Sequence, residues 1–247
     1  MSDASNMGEQ AISKLAEMGL KTQLDECDNL TVKVQVSPET LAEGEIESVT
    51  IDGQGLAMQG DELRTAKLHV ETGAIAITPW KAAFGNIELK QTVEAQADIT
   101  LTEQDINQAL NSEYLLSKFE VLQVHIDGQT FQIVPLRIEF RLPGEGRAAI
   151  QANVETLGES RQYTVAFTAI PVASSDGHRI VLKEIAYENN VDTLDEVTTA
   201  LIESTAELLD MRNFELEGMN LRIRELTILT GRLEIKADAS VEEFPGG

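Results

Sequence analysis

The sequence predicts an α+β protein that is mostly β: an elongated antiparallel meander of long strands, with amphipathic helices laid on its apolar face. Three observations carry this. Apolar and polar residues alternate with period two in many segments, as in strands that bury one face. Turn residues such as Asp127-Gly128, Pro143-Gly144-Glu145-Gly146 and Asp176-Gly177 punctuate those segments. Three further segments place their apolar residues at helical spacing. The 247 residues suit a large β-rich unit. No linker or low-complexity stretch cuts them, so a single domain is expected over residues 8–245, behind a disordered N-terminus at 1–7.

Taken in order, the first helix is predicted from about Gly8 to Leu24, followed by strands near 30–36, 46–58 and 63–77. Within them, Asp52-Gly53-Gln54-Gly55 reads as a turn or bulge signal. Thr78-Pro79-Trp80-Lys81-Ala82-Ala83-Phe84-Gly85 reads as one helical turn, capped by Thr78, with proline in the first position and Gly85 at the end. Trp80 and Phe84 are four apart and share a face, either as an apolar tip at the mouth of a cavity or as a plug closing one end of the core. From Ile87 to Leu101 apolar and polar residues alternate for fifteen positions, broken only by Gln91. A strand of that length would extend about 50 Å.

The second helix follows Thr102, a capping residue with Asp105 three positions on, and carries Ile106, Ala109, Leu110 and Phe119 on one side. Strands near 121–134, 136–142, 147–156, 161–171 and 179–188 come next. The third helix follows Thr193, with Glu196 completing a capping box, and its stripe is Leu194, Val197, Leu201, Leu208 and Leu209. Strands near 213–229 and 233–241 complete the chain. The second and third helix-plus-strand units are offset by about 90 residues, and the first helix lies about 94 residues before the second. We read a degenerate helix-then-meander unit used nearly three times.

Composition narrows the function. Nineteen basic residues against 42 acidic ones give a net charge of −23, which repels phosphates and excludes nucleic acid as a partner. Membrane contact must then be local and mostly apolar. Cys27 is the single cysteine, so there is no internal disulfide. His69, His125 and His178 stand far apart and form no metal-ligand spacing; no metal and no cofactor are expected. Nucleophile-elbow and phosphate-loop motifs are lacking. Carboxylates are abundant, but most fall on the polar phase of strands. Aromatics, at 4% with one tryptophan, are too few for the platforms a carbohydrate cleft needs. From 212 to 236 basic residues outnumber acidic ones, and Arg222 and Arg224 there suit either a lipid phosphate or a solvated strand face. The start, Met1-Ser2-Asp3-Ala4-Ser5-Asn6, is acidic and polar where an export signal is basic and then apolar, so a cytoplasmic protein is expected.

Four stretches carry a family resemblance: Leu41 to Leu56 (LAEGEIESVTIDGQGL), Ala82-Ala83-Phe84-Gly85-Asn86-Ile87-Glu88-Leu89, Leu101-Thr102-Glu103-Gln104-Asp105-Ile106-Asn107, and Arg212-Asn213-Phe214-Glu215-Leu216-Glu217-Gly218-Met219. They resemble the LmeA-like phospholipid-binding proteins over about Gly8 to Pro245. The resemblance implies a tubular lipid-binding-like fold, in which long curved antiparallel strands wrap two to three amphipathic helices and leave an apolar groove or tunnel. It implies lipid binding and brings no catalytic residue. On that basis the lipid-contacting residues are expected to be Ile106, Leu110, Phe119, Val197, Leu201 and Leu208, with Trp80 and Phe84 at the mouth. The only bound group expected is a lipid, exchanged with a membrane surface without catalysis. The alternatives are a solid-core adaptor that meets a protein partner through its acidic surface, and a hydrolase using a carboxylate pair.

Overall fold

The computed structural model describes residues 2–58, 63–78, 88–113, 116, 122–126, 129–157, 161–187, 197–199, 202 and 219–242. The alternating segments become strands that sort into two antiparallel sheets and a two-stranded ribbon. The first sheet takes β1 (Leu24–Glu26), β2 (Asn29–Gln35), β4 (Ser48–Met58), β5 (Thr65–Thr72), β7 (Val93–Thr102), β13 (Met219–Leu229) and β14 (Arg232–Val241). Its order is β1-β4-β5-β7-β14-β13, with β2 beside β1 along the same edge of β4. The second sheet is a plain meander, β12-β11-β10-β9-β8, built from β8 (Leu122–Ile126), β9 (Gln129–Gly144), β10 (Arg147–Thr156), β11 (Gln162–Ala173) and β12 (Ile180–Tyr187). The ribbon pairs β3 (Glu45–Ile46) with β6 (Ile75–Ala76). The helices are α1 (Ser2–Lys21), α2 (Pro38–Glu43) and α3 (Glu103–Leu110), and residues 197–199 are also helical. The α+β, mostly-β class read from the sequence holds.

Four boundaries differ from the sequence reading. The helix placed at Gly8 begins at Ser2, so the backbone at 2–7, expected to be disordered, is helical. Nothing in Ser2–Met7 breaks a helix; it holds no proline or glycine. The fifteen-residue strand from Ile87 is the ten-residue β7, because the chain bends at Lys90 and Gln91. Before that bend, Leu89 bridges to Ile77 and the Lys90 N–H donates to the Ala76 carbonyl at 2.8 Å, a different pairing from that of β7. The longest strand is instead β9, sixteen residues. Its phase changes at Leu136, which the pairing of Pro135 with Val154 and of Arg137 with Asn153 leaves unopposed. That bulge leaves Leu136 44% exposed. It also accommodates Pro135, which has no N–H to donate. Finally, α3 breaks after Leu110 at Asn111–Ser112, and helix resumes at Glu113 and Leu116, where the Leu116 N–H donates to the Ser112 carbonyl at 3.0 Å; Phe119 lies outside the described residues.

The cap of α3 forms as its sequence predicts. The Asp105 N–H donates to Thr102 Oγ1 at 3.1 Å and the Thr102 N–H to Asp105 Oδ2 at 3.1 Å. What the sequence did not disclose is the task of the next turns. β8 covers β9 only at Gln129–Ile133, so the rest of that edge, up to Gly144, faces α3. The Leu142 N–H donates to Glu103 Oε2 at 2.7 Å. Phe140 gives its N–H to Asn107 Oδ1 (2.8 Å) and receives Asn107 Nδ2 at its carbonyl (2.7 Å). Ile138 makes the same double bond with Asn111, at 3.0 and 2.6 Å. The match is metric: four helical residues rise about 6 Å and two strand residues about 6.6 Å.

α1 repeats the device 94 residues earlier in the sequence, on the edge of β2 that β4 leaves open. Val36 donates to Glu9 Oε1 (3.4 Å), Val34 to Ser13 Oγ (2.9 Å) and Val32 to the Glu17 carboxylate. Lys21 pairs with Glu17 at 2.8 Å. That ammonium holds the Glu17 carboxyl below the usual range, and the Val32 N–H adds to the effect.

The two sheets are stitched at two places. The β13–β14 hairpin tip reaches β9, where the Gly231 N–H donates to the Leu142 carbonyl at 2.9 Å, and the Glu103 N–H donates to the Gly231 carbonyl at 3.0 Å. At the β11–β12 turn, the Ile223 N–H donates to the Gly177 carbonyl at 2.9 Å. Gly177 has φ +76°, and a Cβ there would lie 2.8 Å from the Ile223 carbonyl oxygen. Only glycine accommodates both demands. The segment Asp52-Gly53-Gln54-Gly55, read as a turn or bulge signal within strands, runs within β4. At Gly55, φ +59°, a Cβ would collide with the Asp28–Arg64 ion pair.

Three outcomes follow for stability. Asn107→Ala leaves the Phe140 N–H and carbonyl without their partner and should cost at least about 2 kcal/mol in urea unfolding. Gln108→Ala, at an exposed neighbour, should stay within about 0.5 kcal/mol. Gly177→Ala should cost more than Gly146→Ala, because both have positive φ but a Cβ at Gly146 meets open space. The Glu17 carboxyl is depressed, so its contribution is present above the unfolded-chain value of roughly 4.3 and is lost as pH falls through its lower folded value. The stability difference between wild type and Glu17→Gln, followed by thermal unfolding against pH, should therefore shrink in that acid window and be constant near neutrality.

Candidate functional site

Each sheet has one apolar face, and the two faces are covered very differently. In the second sheet, Ile133, Val154, Val165 and Ala169 are 0–1% exposed and pack with Phe167, Ile138, Ala152 and Val197. Leu110 from α3, together with Ile202, packs against the same cluster. Of the residues expected to touch lipid, Leu110 and Val197 are thus brought together against one sheet face. Ile106 goes to an adjoining cluster of Leu142, Ala148 and Ile228, beside Phe140 and Leu233. Phe119, Leu201, Leu208, Trp80 and Phe84 lie outside the described residues. Val197 is fully buried against this face.

The apolar face of the first sheet is different. At its β2–β4 end, Leu30, Val32, Val34, Val36 and Leu56 are buried under Ile12, Ala16 and Leu20 of α1. Further along, three cross-strand rows share the same phase. They are Leu68–Ile99–Ile235–Leu226, Val70–Ala97–Ala237–Ile223 and Thr72–Ala95–Ala239–Leu221. Ala237 and Ile223 are buried, but the remaining members of these rows are only half-buried. Four of the twelve positions are alanine, all of them on β7 and β14. Small side chains make a shallow floor, and the result is an apolar trough open along part of its length.

The opposite face of this sheet is polar. Its rows read Asp52–His69–Asp98–Lys236 and Glu71–Gln96–Asp238–Arg222. His69 Nδ1 lies 2.7 Å from Asp52 Oδ1, both side chains about half exposed. An open cleft of ≈ 640 Å³ lies at the Gly73–Ser240 end, lined by Glu71, Glu94, Gln96, Asp238 and Arg222 among others. Its polar lining suits a headgroup and not a hydrocarbon chain. Arg222 Nε donates to the Asp176 carbonyl (3.1 Å), and Arg224 pairs with Asp238 at 3.0 Å.

Arg64 ties the α3 cap to the first sheet. It reaches Asp28 at 2.5 Å, Glu26 at 3.2 Å and the buried Asp105 at 3.4 Å. Although desolvation opposes its charge, Asp28, Asp105 and Glu26 hold the guanidinium above its ordinary value. No group of three or more metal-ligating side chains occurs among the described residues. Among them, too, no helix is long and apolar enough to cross a membrane.

A family model described as LmeA-like phospholipid-binding matches residues 3–238, nearly the whole chain. The chain belongs to the LmeA-like phospholipid-binding family. No match is found among curated proteins or among solved structures. Membership of this family points to lipid binding, and an apolar sheet face left half open is a surface such a ligand can use. Sequence reasoning named the strands that form the trough, since Val93–Leu101 and Leu233–Val241 were read with correct phase. It expected lipid beside Ile106, Leu110 and Val197 of the helices and did not single out this face, because how much of each face is covered is decided by tertiary packing. The only signal available was the run of alanines in the inward phase of β7 and β14.

Proposed function

We propose that the protein binds a phospholipid by laying its acyl chains along the half-buried apolar face of the first sheet, and that it passes the lipid between membrane surfaces without catalysis. The observation that supports this best is the contrast between the two sheets: one apolar face is filled, and the other, floored by Ala95, Ala97 and Ala239, is not. The phosphate-bearing end of the lipid would lie toward the polar residues at the strand ends, where Arg222 is the cation. Leu110, Val197 and Ile106 act in this reading as the packed support of the second sheet, which keeps the trough in place.

Magnitudes set the mode of action. About 30 acyl methylenes at ~0.8 kcal/mol each amount to roughly 24 kcal/mol on leaving water. That exceeds the ceiling of non-covalent affinities. The relevant comparison is therefore bilayer against trough, which is nearly neutral, and a neutral exchange needs neither a catalytic group nor an energy source.

A second reading, a solid-core adaptor working through its acidic surface, is favoured by the buried cluster on the second sheet and the net charge of −23. Native mass spectrometry of the purified protein, with solvent extraction of the same sample, separates the two. The lipid reading predicts a stoichiometric bound lipid and its loss in Ala97→Trp/Ala239→Phe. Thermal stability of that variant should change by no more than about 1 kcal/mol, because the added rings enter a half-open space. Ala152→Phe, in the filled layer, should cost about 1–3 kcal/mol or more. Unchanged loading in the folded trough variant would overturn the placement. A lipid-free protein that also fails to load from mixed micelles would favour the adaptor.

A further inference from the structure

Charge is distributed very unevenly over this chain. Residues 129–187, which supply β9 to β12, hold Arg137, Arg141, Arg147, Arg161, Arg179 and Lys183 against six acids, Glu139, Glu145, Glu155, Glu159, Asp176 and Glu184. That stretch is neutral, and the whole net charge of −23 lies outside it. Within the sheets, exposed apolar side chains follow the same division, while Leu15 and Met18 are exposed on α1. Among the described residues, the large exposed hydrophobics of the strands are Leu136, Val181 and Tyr187, all in the second sheet, with Leu157 just beyond β10. The outward rows of the first sheet through Asp98 and Gln96 are polar.

The pairing register places these features side by side. Lys183 lies opposite Ile170, and Val181 lies opposite Val172. All four share the outward face, since Leu182 and Ile185 pack inward. Arg147 reaches the same patch, where it donates to the Glu184 carbonyl at 2.9 Å and pairs with the exposed Glu184 carboxylate at 3.6 Å, leaving Arg179 and Lys183 as its net positive charge. Val181 is 40% exposed, and Ile170 and Val172 are half-buried. Arg179 is exposed at the start of this hairpin edge. The Gly177 turn joins that hairpin end to Ile223, so Arg222 and Arg224 and the Ile223 end of the trough are its neighbours.

We propose that the outward face of the β11–β12 hairpin, Ile170, Val172 and Val181 flanked by Arg147, Arg179 and Lys183, is where the protein docks on an anionic bilayer. Here aliphatic side chains can enter the headgroup boundary while cations meet lipid phosphates. Elsewhere the acidic surface repels such a membrane, so the asymmetry also orients the molecule, turning the β13 side of the trough toward the bilayer. The occupant is a lipid surface rather than an acidic polypeptide because the patch is a flat sheet face with apolar residues between its cations. The inference rests on the lipid-binding reading, and its test is separable from it.

The test is flotation of the full chain with vesicles of two parts phosphatidylcholine to one part phosphatidylglycerol, and with phosphatidylcholine alone, at low and high salt. Wild type should float with the anionic vesicles, less at high salt, and much less with the neutral ones. Arg179→Glu/Lys183→Glu should weaken that binding by more than about tenfold. Val181→Ser should weaken it without changing the net charge. Lys33→Glu/Lys67→Glu, on the polar face of the first sheet, should resemble wild type. Loading of lipid from detergent micelles, read by native mass spectrometry, should be intact in all of these variants. Equal flotation of Arg179→Glu/Lys183→Glu and wild type overturns the docking face, and so does wild type that loads from micelles but floats with neither vesicle. Failure to load from micelles counts against the lipid-binding reading instead.

Discussion

A strand at the edge of a sheet carries a row of amide and carbonyl groups that must find partners, and in this protein two such rows are met by helix side chains. Glu103 and Asn107 of α3 and its C-cap Asn111 serve β9, and Glu9, Ser13 and Glu17 of α1 serve β2. Each bond is local, but together they fix the axis and register of a helix against a sheet. The amides of Asn107 and Asn111 both donate and accept, so they stand in for a neighbouring strand. The carboxylates only accept, and they sit where an N–H is offered.

Once the helices are held in this way, the two apolar faces diverge. α3 lies over the second sheet, and its Leu110 joins Val197 in closing a core that includes Phe167 and Ile133. α1 covers only the β2–β4 end of the first sheet, so the rows through Ala97, Ile99, Ile235 and Ala239 stay half-buried. The sheets are joined through Gly231–Leu142 and Gly177–Ile223, at the margins of that open stretch. A firm second sheet and a partly open first sheet are consistent with a lipid-binding protein whose cargo need not compete with a solid core.

How far the sequence disclosed this depended on the range of the interaction. The Thr102–Asp105 cap was legible because capping involves four consecutive residues. β10 and β14 were read to within a residue because their alternation is unbroken. The strand from Ile87 was overextended because alternation continues through a bend that tertiary pairing imposes at Lys90–Gln91. The phase change at Leu136 was hidden because the bulge keeps hydrophobic residues at even positions. α2 is six residues and too short to show a stripe. The role of Asn107 and Asn111 is not legible locally, since nothing in the sequence distinguishes a polar residue facing water from one facing a strand edge. The strands of the half-buried apolar face were legible in phase, but its exposure was not, because alternation fixes which side chains share a face and not what covers them.

The central claim is that acyl chains lie on the open apolar face of the first sheet. Photo-crosslinking with a phospholipid carrying a diazirine near the end of an acyl chain, followed by peptide mapping, tests it most directly. The account predicts adducts on β5, β7 and β14, around Val70, Ala97, Ile99 and Ala239. Adducts confined to the polar cleft beside Glu71 and Asp238, or to the filled layer around Phe167 and Val197, would contradict it.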